Sequence, residues 1–318
     1  MKLAFYICSN GYGHFHRVLQ ICNYLKNVEV DIYCEKYQYN RFKDNINSLE
    51  FYRDKPKINF IFYKKSNIRW DKVLSSNNFD YDNYINSLDD SVSEIDKYDC
   101  VVTDNLVSIL KYRPDAWVLG SFLWSDVFND KFGNNKLSEC EDELFYNTKP
   151  KIFCNGDVDF GQIINYDNKV DIGWGCKDES SDDFNFNTIV CITPSLNYTD
   201  VYTEKFLQLR DKFQNNFDFS FNINHKRNSI FVIRPGLGMI TTCVSYKIPI
   251  VALWDDDDSS EIKHLANKVN ELGIGISLNV NDDLSIPKNF NTYRDSFSKL
   301  KLDGYKKFAG ILHEYYKW

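Results

Sequence analysis

No apolar run in this chain approaches the roughly 20 residues that a bilayer-crossing helix needs. The longest, such as Ile248 to Trp254, are short, and that one carries Pro249. No segment is expected to span a membrane. Positive charge is not in excess either: 38 Lys and Arg stand against 45 Asp and Glu, a formal net charge of −7. Such a chain repels polyanions overall, which argues against nucleic acid as a partner and leaves membrane association peripheral at most. Paired cysteines are missing too. Nine occur singly from Cys8 to Cys243 with no C-x-x-C, a pattern of reduced thiols rather than of a disulfide frame or a zinc site. Before Ser9-Asn10-Gly11 stand only six apolar residues, too few for a signal-peptide core, so a cytoplasmic location is expected.

What is present is core-forming material. At 318 residues with 43% apolar and 16% aromatic content, the chain can fill about two domains. Continuous apolar runs predict buried strands at Lys2 to Cys8, Val28 to Cys34, Ile58 to Tyr63, Asp99 to Thr103, Ala116 to Leu119 and Lys151 to Cys154. Helical spacing predicts helices at His14 to Leu25 and Tyr81 to Lys97. The acidic, glycine-containing stretch from 174 to 187 is poor in core residues and reads as a linker. The rhythm then restarts: strands at Thr188 to Thr193, Phe217 to Ile223, Ser229 to Ile233 and Pro249 to Trp254, and helices at Val201 to Asn215, Met239 to Tyr246 and Glu261 to Leu272. The fold class is therefore α/β. Residues 1–173 form one Rossmann-like βαβ domain and 188–318 a second, and the two are expected to face each other across a cleft.

In open α/β sheets ligands bind beyond the carboxyl ends of the strands, and three such places carry useful chemistry. After the first strand comes Ser9-Asn10-Gly11-Tyr12-Gly13-His14-Phe15-His16-Arg17. Gly11 and Gly13 allow a tight turn and close approach of a ligand, and the helix start offers amides and a positive dipole end. That dipole disfavours imidazolium, leaving His14 able to take a proton. His16 is a rival base that can instead face the helix–sheet interior. A dinucleotide-binding reading has Glu35 at about the required spacing of roughly 20 residues, but it meets His16 where the third glycine belongs. After the strand ending at Thr103, Asp104 either orients His14 or caps the next helix. After Ile233, Arg234-Pro235-Gly236-Leu237-Gly238-Met239 combines a cation, exposed amides and a helix start, an environment for a diphosphate. Asp255 to Asp258 form a solvated loop or, less in keeping with block charge, a cation site; Asp258 or Glu261 can accept hydrogen bonds from sugar hydroxyls.

The segments Gly11 to Arg17, Ile233 to Gly238, Lys247 to Val251 and Glu271 to Gly275 together resemble the two-domain nucleotide-sugar glycosyltransferases of the GT-B fold, similar to the MurG and UDP-glycosyltransferase groups. The resemblance implies His14 as general base with Asp104 orienting it. It implies a donor loop at Gly236 and Gly238, Ser195 as a hydroxyl near the phosphates, and a last helix, Asp303 to Tyr316, that crosses back to the first domain. The chain departs from that pattern where Met239 and Thr242 replace a threonine and a ribose-binding glutamate, and where Ile262 replaces a glutamine after Glu261. The expected activity is inverting, metal-independent sugar transfer from a nucleoside diphosphate sugar, most simply a UDP-sugar, without a cofactor. The donor would lie against Gly11, Gly13, Ser195, Arg234, the backbone from Gly236 to Met239, Asp258 and Glu261. The acceptor, a glycan, a lipid-linked sugar or a small molecule, would lie on the amino-terminal side, shaped by the aromatic stretch from Phe62 to Tyr84. A hydrolysing sugar-nucleotide epimerase and a non-catalytic sugar-nucleotide- or glycan-binding protein are the alternatives.

Overall fold

The computed structural model describes residues 1–47, 56–63, 79–180, 188–192, 199–220, 229–282 and 290–316. The chain divides into two compact units, Met1–Ile172 together with Gly304–Trp318, and Gly173–Asp303.

The first unit is built on a parallel sheet of β1 (Lys2–Ile7), β2 (Glu29–Cys34), β3 (Lys57–Phe62), β4 (Cys100–Asp104), β5 (Trp117–Leu119), β6 (Ile152–Cys154) and β7 (Lys169–Asp171), in the order β3-β2-β1-β4-β5-β6-β7. Side chains of a strand alternate between faces. Leu3, Phe5 and Ile7 pack with Phe15, Val18 and Ile21 of α1 (Gly13–Cys22) and with Phe308 and Leu312 of the carboxyl-terminal helix, Gly304–Tyr316. Ala4, Tyr6 and Cys8 enter the opposite core with Leu88 and Phe128. Both faces are covered, and so these strands read as unbroken apolar runs. On the chain between them lie α2 (Lys36–Asn47), α3 (Tyr81–Val92), α4 (Trp124–Phe132) and α5 (Lys136–Thr148). The predicted helix from Tyr81 to Lys97 stops being α-helical at Val92 and resumes as a short 3-10 turn at Ile95–Lys97.

The second unit has a parallel sheet of β8 (Thr188–Ile192), β9 (Asp218–Ser220), β10 (Ser229–Ile233), β11 (Ile250–Trp254) and β12 (Gly275–Asn279), ordered β12-β11-β10-β8-β9. Its helices include α6 (Thr199–Phe213), α7 (Leu237–Tyr246) and α8 (Ser260–Glu271). Of the stretch read as a linker, 181–187 lie outside the described residues. The part before it is anchored: Trp174 is fully buried, and its amide donates to Lys301 O at 2.7 Å. The Asp303 amide donates to Cys176 O at 2.8 Å, so the two ends of this unit are pinned together. Among the described residues, no helix is long and apolar enough to cross a membrane.

Both strand orders contain a topological switch. In the first sheet the chain winds outward from β1 through β2 to β3 and then returns to place β4 on the other side of β1. In the second, β8 and β10 flank the corresponding point. Loops leaving the carboxyl ends of such neighbouring strands diverge and leave a crevice between them.

Candidate functional site

At the switch of the first sheet, Ile7 is in register with Asp104, and the Cys8 amide donates to Asp104 O at 3.1 Å. The loop after β1 turns through Gly11, whose φ of 68° favours glycine, and enters α1 at Gly13. Gln38 and Tyr37 of α2 brace this turn, the Gln38 amide donating to Gly11 O at 2.8 Å and to Cys8 O at 3.0 Å. A side chain at Gly13 would meet no atom within 4 Å and would need no left-handed backbone. Neither packing nor conformation requires glycine there, so the space above it is open to a ligand.

His14 and Asp104 meet. His14 Nδ1 lies 2.7 Å from Asp104 Oδ1, with the carboxylate fully buried and 13% of the imidazole side chain exposed. Arg17, one helical turn on, donates Nε to Asp104 Oδ2 at 2.9 Å and Nη2 to Oδ1. Burial opposes ionisation of Asp104, but the neighbouring Arg17 and His14 outweigh it and hold the carboxyl below its usual range. An ionised carboxylate only accepts hydrogen bonds, so His14 Nδ1 carries a proton, and in the neutral ring the lone pair is left on Nε2. Of the two readings of Asp104, orientation of His14 is the one with this geometry. His16 does not face the interior. It is exposed, stacked on Phe42 at 5.4 Å between centroids, and 3.3 Å from Gln20 Nε2; Phe15 takes the interior position instead.

Asn105 follows with φ 57° and its side chain buried against Gly120. Its amide oxygen and nitrogen have no partner among the described residues.

At the switch of the second sheet, α7 begins at Leu237, two residues before the predicted Met239. The Met239 amide is spent on Gly236 O at 3.0 Å, so the open amides of this loop are those of Leu237 and Gly238, which meet no acceptor among the described residues. A side chain at Gly236 would meet nothing within 4 Å, and its φ is −94°. Asp258 does not present a carboxylate to a ligand. It is buried, with Oδ1 taking Arg234 Nε and Nη2 at 2.8 Å and Oδ2 taking the Tyr202 hydroxyl and, at 2.9 Å, the Asp255 amide. Its work is to fix Arg234. Glu261 is in the first turn of α8, just beyond β11. Thr242 turns its hydroxyl back to Gly238 O at 3.1 Å.

In the acidic loop, Asp255 Oδ1 takes the Asp257 amide and Asp256 Oδ1 the Asn279 side chain. Among the described residues no group of three His, Cys, Asp or Glu side chains is placed to hold a metal ion. Ser195 and the aromatic stretch at 64–78 lie outside the described residues.

Sequence reasoning missed the clamp by Arg17 on Asp104 and the tie from Tyr202 to Asp258. The first had a signal: His14 and Arg17 are three apart on one helix and therefore neighbours. The second depends on residues brought together only by folding.

No protein-family model and no curated protein matches the chain. Solved structures do. The glycotransferase of kitacinnamycin matches with a TM-score of 0.62 at 12% identity, covering 98% of each chain. UGT89C1 of Arabidopsis thaliana, complexed with UDP-L-rhamnose, matches with a TM-score of 0.58 at 10% identity, covering 98% of this chain and 92% of its own. The spinosyn rhamnosyltransferase SpnG, complexed with spinosyn aglycone, gives 0.55 at 11% identity, covering 99% and 95%. With two parallel α/β sheets in the observed strand orders and these likenesses along nearly its whole length, the chain has the two-domain GT-B fold.

Proposed function

We propose that this protein transfers a sugar from a nucleoside diphosphate sugar, a UDP-sugar most directly, to an acceptor hydroxyl, with inversion at the anomeric carbon and without a metal ion. The observation that carries the reading is the hydrogen bond from His14 to the buried Asp104 at the β1–β4 switch of a GT-B chain. His14 Nε2 takes the proton from the acceptor hydroxyl as that oxygen attacks the anomeric carbon. The bond from that carbon to the diphosphate oxygen breaks, and the diphosphate leaves with the electron pair. Asp104 balances the imidazolium formed. The amides of Leu237 and Gly238, the positive end of α7 and the guanidinium of Arg234 offset the charge developing on the diphosphate. Glu261 is left to contact sugar hydroxyls, and the acceptor, a glycan, a lipid-linked sugar or a small molecule, binds the first unit. The ligands named with UGT89C1 and SpnG, a UDP-sugar and an aglycone, support this division of substrates. Nine free cysteines support a reducing, cytoplasmic setting.

The test is incubation with UDP-glucose, UDP-N-acetylglucosamine and dTDP-glucose, each with a phenolic and a sugar acceptor. The expected product is a glycoside of inverted anomeric configuration from at least one donor. An epimerised sugar, or donors bound but unchanged across the panel, would overturn the reading.

A further inference from the structure

Arg17 has a place in the site that neither an acid–base pair nor helix packing requires. Asp104 has two oxygens in a fully buried carboxylate, and Arg17 engages both. Oδ1, the oxygen that faces His14 Nδ1, is thereby shared between two donors. Arg17 Nη2 also lies 3.1 Å from His14 Nδ1. A guanidinium carries only N–H donors, so this is a contact between two donors converging on one acceptor. It exists only because a cation is held beside the ring. An acid–base pair without such a cation stabilises imidazolium through the bare carboxylate. Here the carboxylate's charge is already balanced, and a protonated ring would face a second positive charge at about 3 Å, which disfavours the proton.

We propose that Arg17 is a positioning residue that keeps the ring of His14 unprotonated, with its Nε2 lone pair available, at pH values where the pair with Asp104 alone would hold a proton. The proposal rests on the reading of His14 as the base. Among the described residues the other titratable groups acting on Arg17 include Cys8, just after β1, whose thiol burial pushes to about 12, and Tyr305 from the carboxyl-terminal helix. The raised Cys8 thiol is uncharged near neutral pH and a phenol brings no positive charge, so the charges held against the ring are those of Asp104 and Arg17.

The test is the pH dependence of the ring nitrogen shifts of His14 in ligand-free, histidine-labelled protein, comparing wild type with Arg17→Met and Arg17→Lys. In wild type the neutral ring shows the Nδ1–H form. In Arg17→Met the change to the protonated ring moves to higher pH by about one unit or more, a tenfold gain in proton affinity. Arg17→Lys, which keeps the charge, returns it to within a few tenths of wild type. If Arg17→Met is too unstable to measure, Arg17→Gln, which retains a donor to Asp104 without the charge, gives the same upward movement. An unchanged transition in the charge-removing variants makes Arg17 merely structural and overturns the proposal. Because no substrate is present, that outcome is separate from failure of the base assignment, which would appear as sugar transfer surviving in His14→Ala.

Discussion

A buried carboxyl does opposite things in two places of the first unit. Asp104 is ionised because two cationic or hydrogen-bonding partners converge on it. Glu141 of α5 is buried with only the Ser108 hydroxyl on Oε1, at 2.9 Å, and no partner for Oε2 among the described residues. Burial raises its pKa from 4.5 to about 8. Between those values the native protein keeps the proton and the unfolded chain does not, so stability falls as pH rises through the window and this contribution is gone above about 8. Burial raises Glu35 to about 7 and Asp126 to about 6 with the same sign. Glu141→Gln, which replaces a neutral acid with a neutral amide, is expected to match wild type near pH 4.5. At pH 8 it is more stable by on the order of 4 kcal/mol. Denaturant melts at the two pH values measure this, and a wild-type to variant gap that does not change with pH contradicts it.

The proposed chemistry falls on strand–loop–helix units, and their glycines divide by what they do. Gly11 is needed for its backbone. Gly236 has an ordinary extended φ and empty space around a built side chain. Gly236→Ala is therefore expected to leave the melting temperature unchanged or slightly raised, since alanine reduces the freedom of the unfolded chain by about 0.4–1 kcal/mol. UDP affinity is expected to fall at least about tenfold, because the methyl occupies the approach to the Leu237 and Gly238 amides. Calorimetric titration with UDP beside thermal melts reads both. Loss of stability with unchanged UDP binding would make the loop a structural turn.

These elements were unequally legible in the sequence. β1, β4 and β10 declare themselves because strands buried on both faces are unbroken apolar runs, and the strand-end rule then pointed to His14, Asp104 and Arg234. The helix α2 hides because its core-facing Tyr39, Phe42 and Ile46, although at helical spacing, are set among Asn, Lys and Gln, so the segment is polar overall. Asp258, read from the sequence as a sugar contact, is instead buried on Arg234, Tyr202 and the Asp255 amide, for a different reason. Whether a carboxylate after a strand faces a ligand or holds a neighbour depends on Tyr202, Arg234 and Asp255 from three separate segments, and no local pattern encodes that.

Across the whole chain, the two units repeat one design with different chemistry. Each has a parallel sheet whose order reverses once, and a glycine-bearing loop at the reversal. Each also has an arginine fixed by a buried aspartate, Arg17 by Asp104 and Arg234 by Asp258. In the proposed function one loop supplies the proton acceptor and the other the anion-binding helix end, the two demands of displacing a diphosphate by a hydroxyl. The first unit is closed by the chain's last helix, whose Phe308 packs on Phe153 at 4.8 Å between centroids. The two halves of the proposed reaction therefore fall on separate residues, which a single comparison can separate. Single-turnover sugar transfer by His14→Ala, with the donor that wild type uses and with bound UDP quantified in the same samples, is predicted to fall by at least about a hundredfold while UDP affinity stays within about twofold. Transfer at a rate close to wild type, or loss of UDP binding in step with loss of transfer, would contradict it.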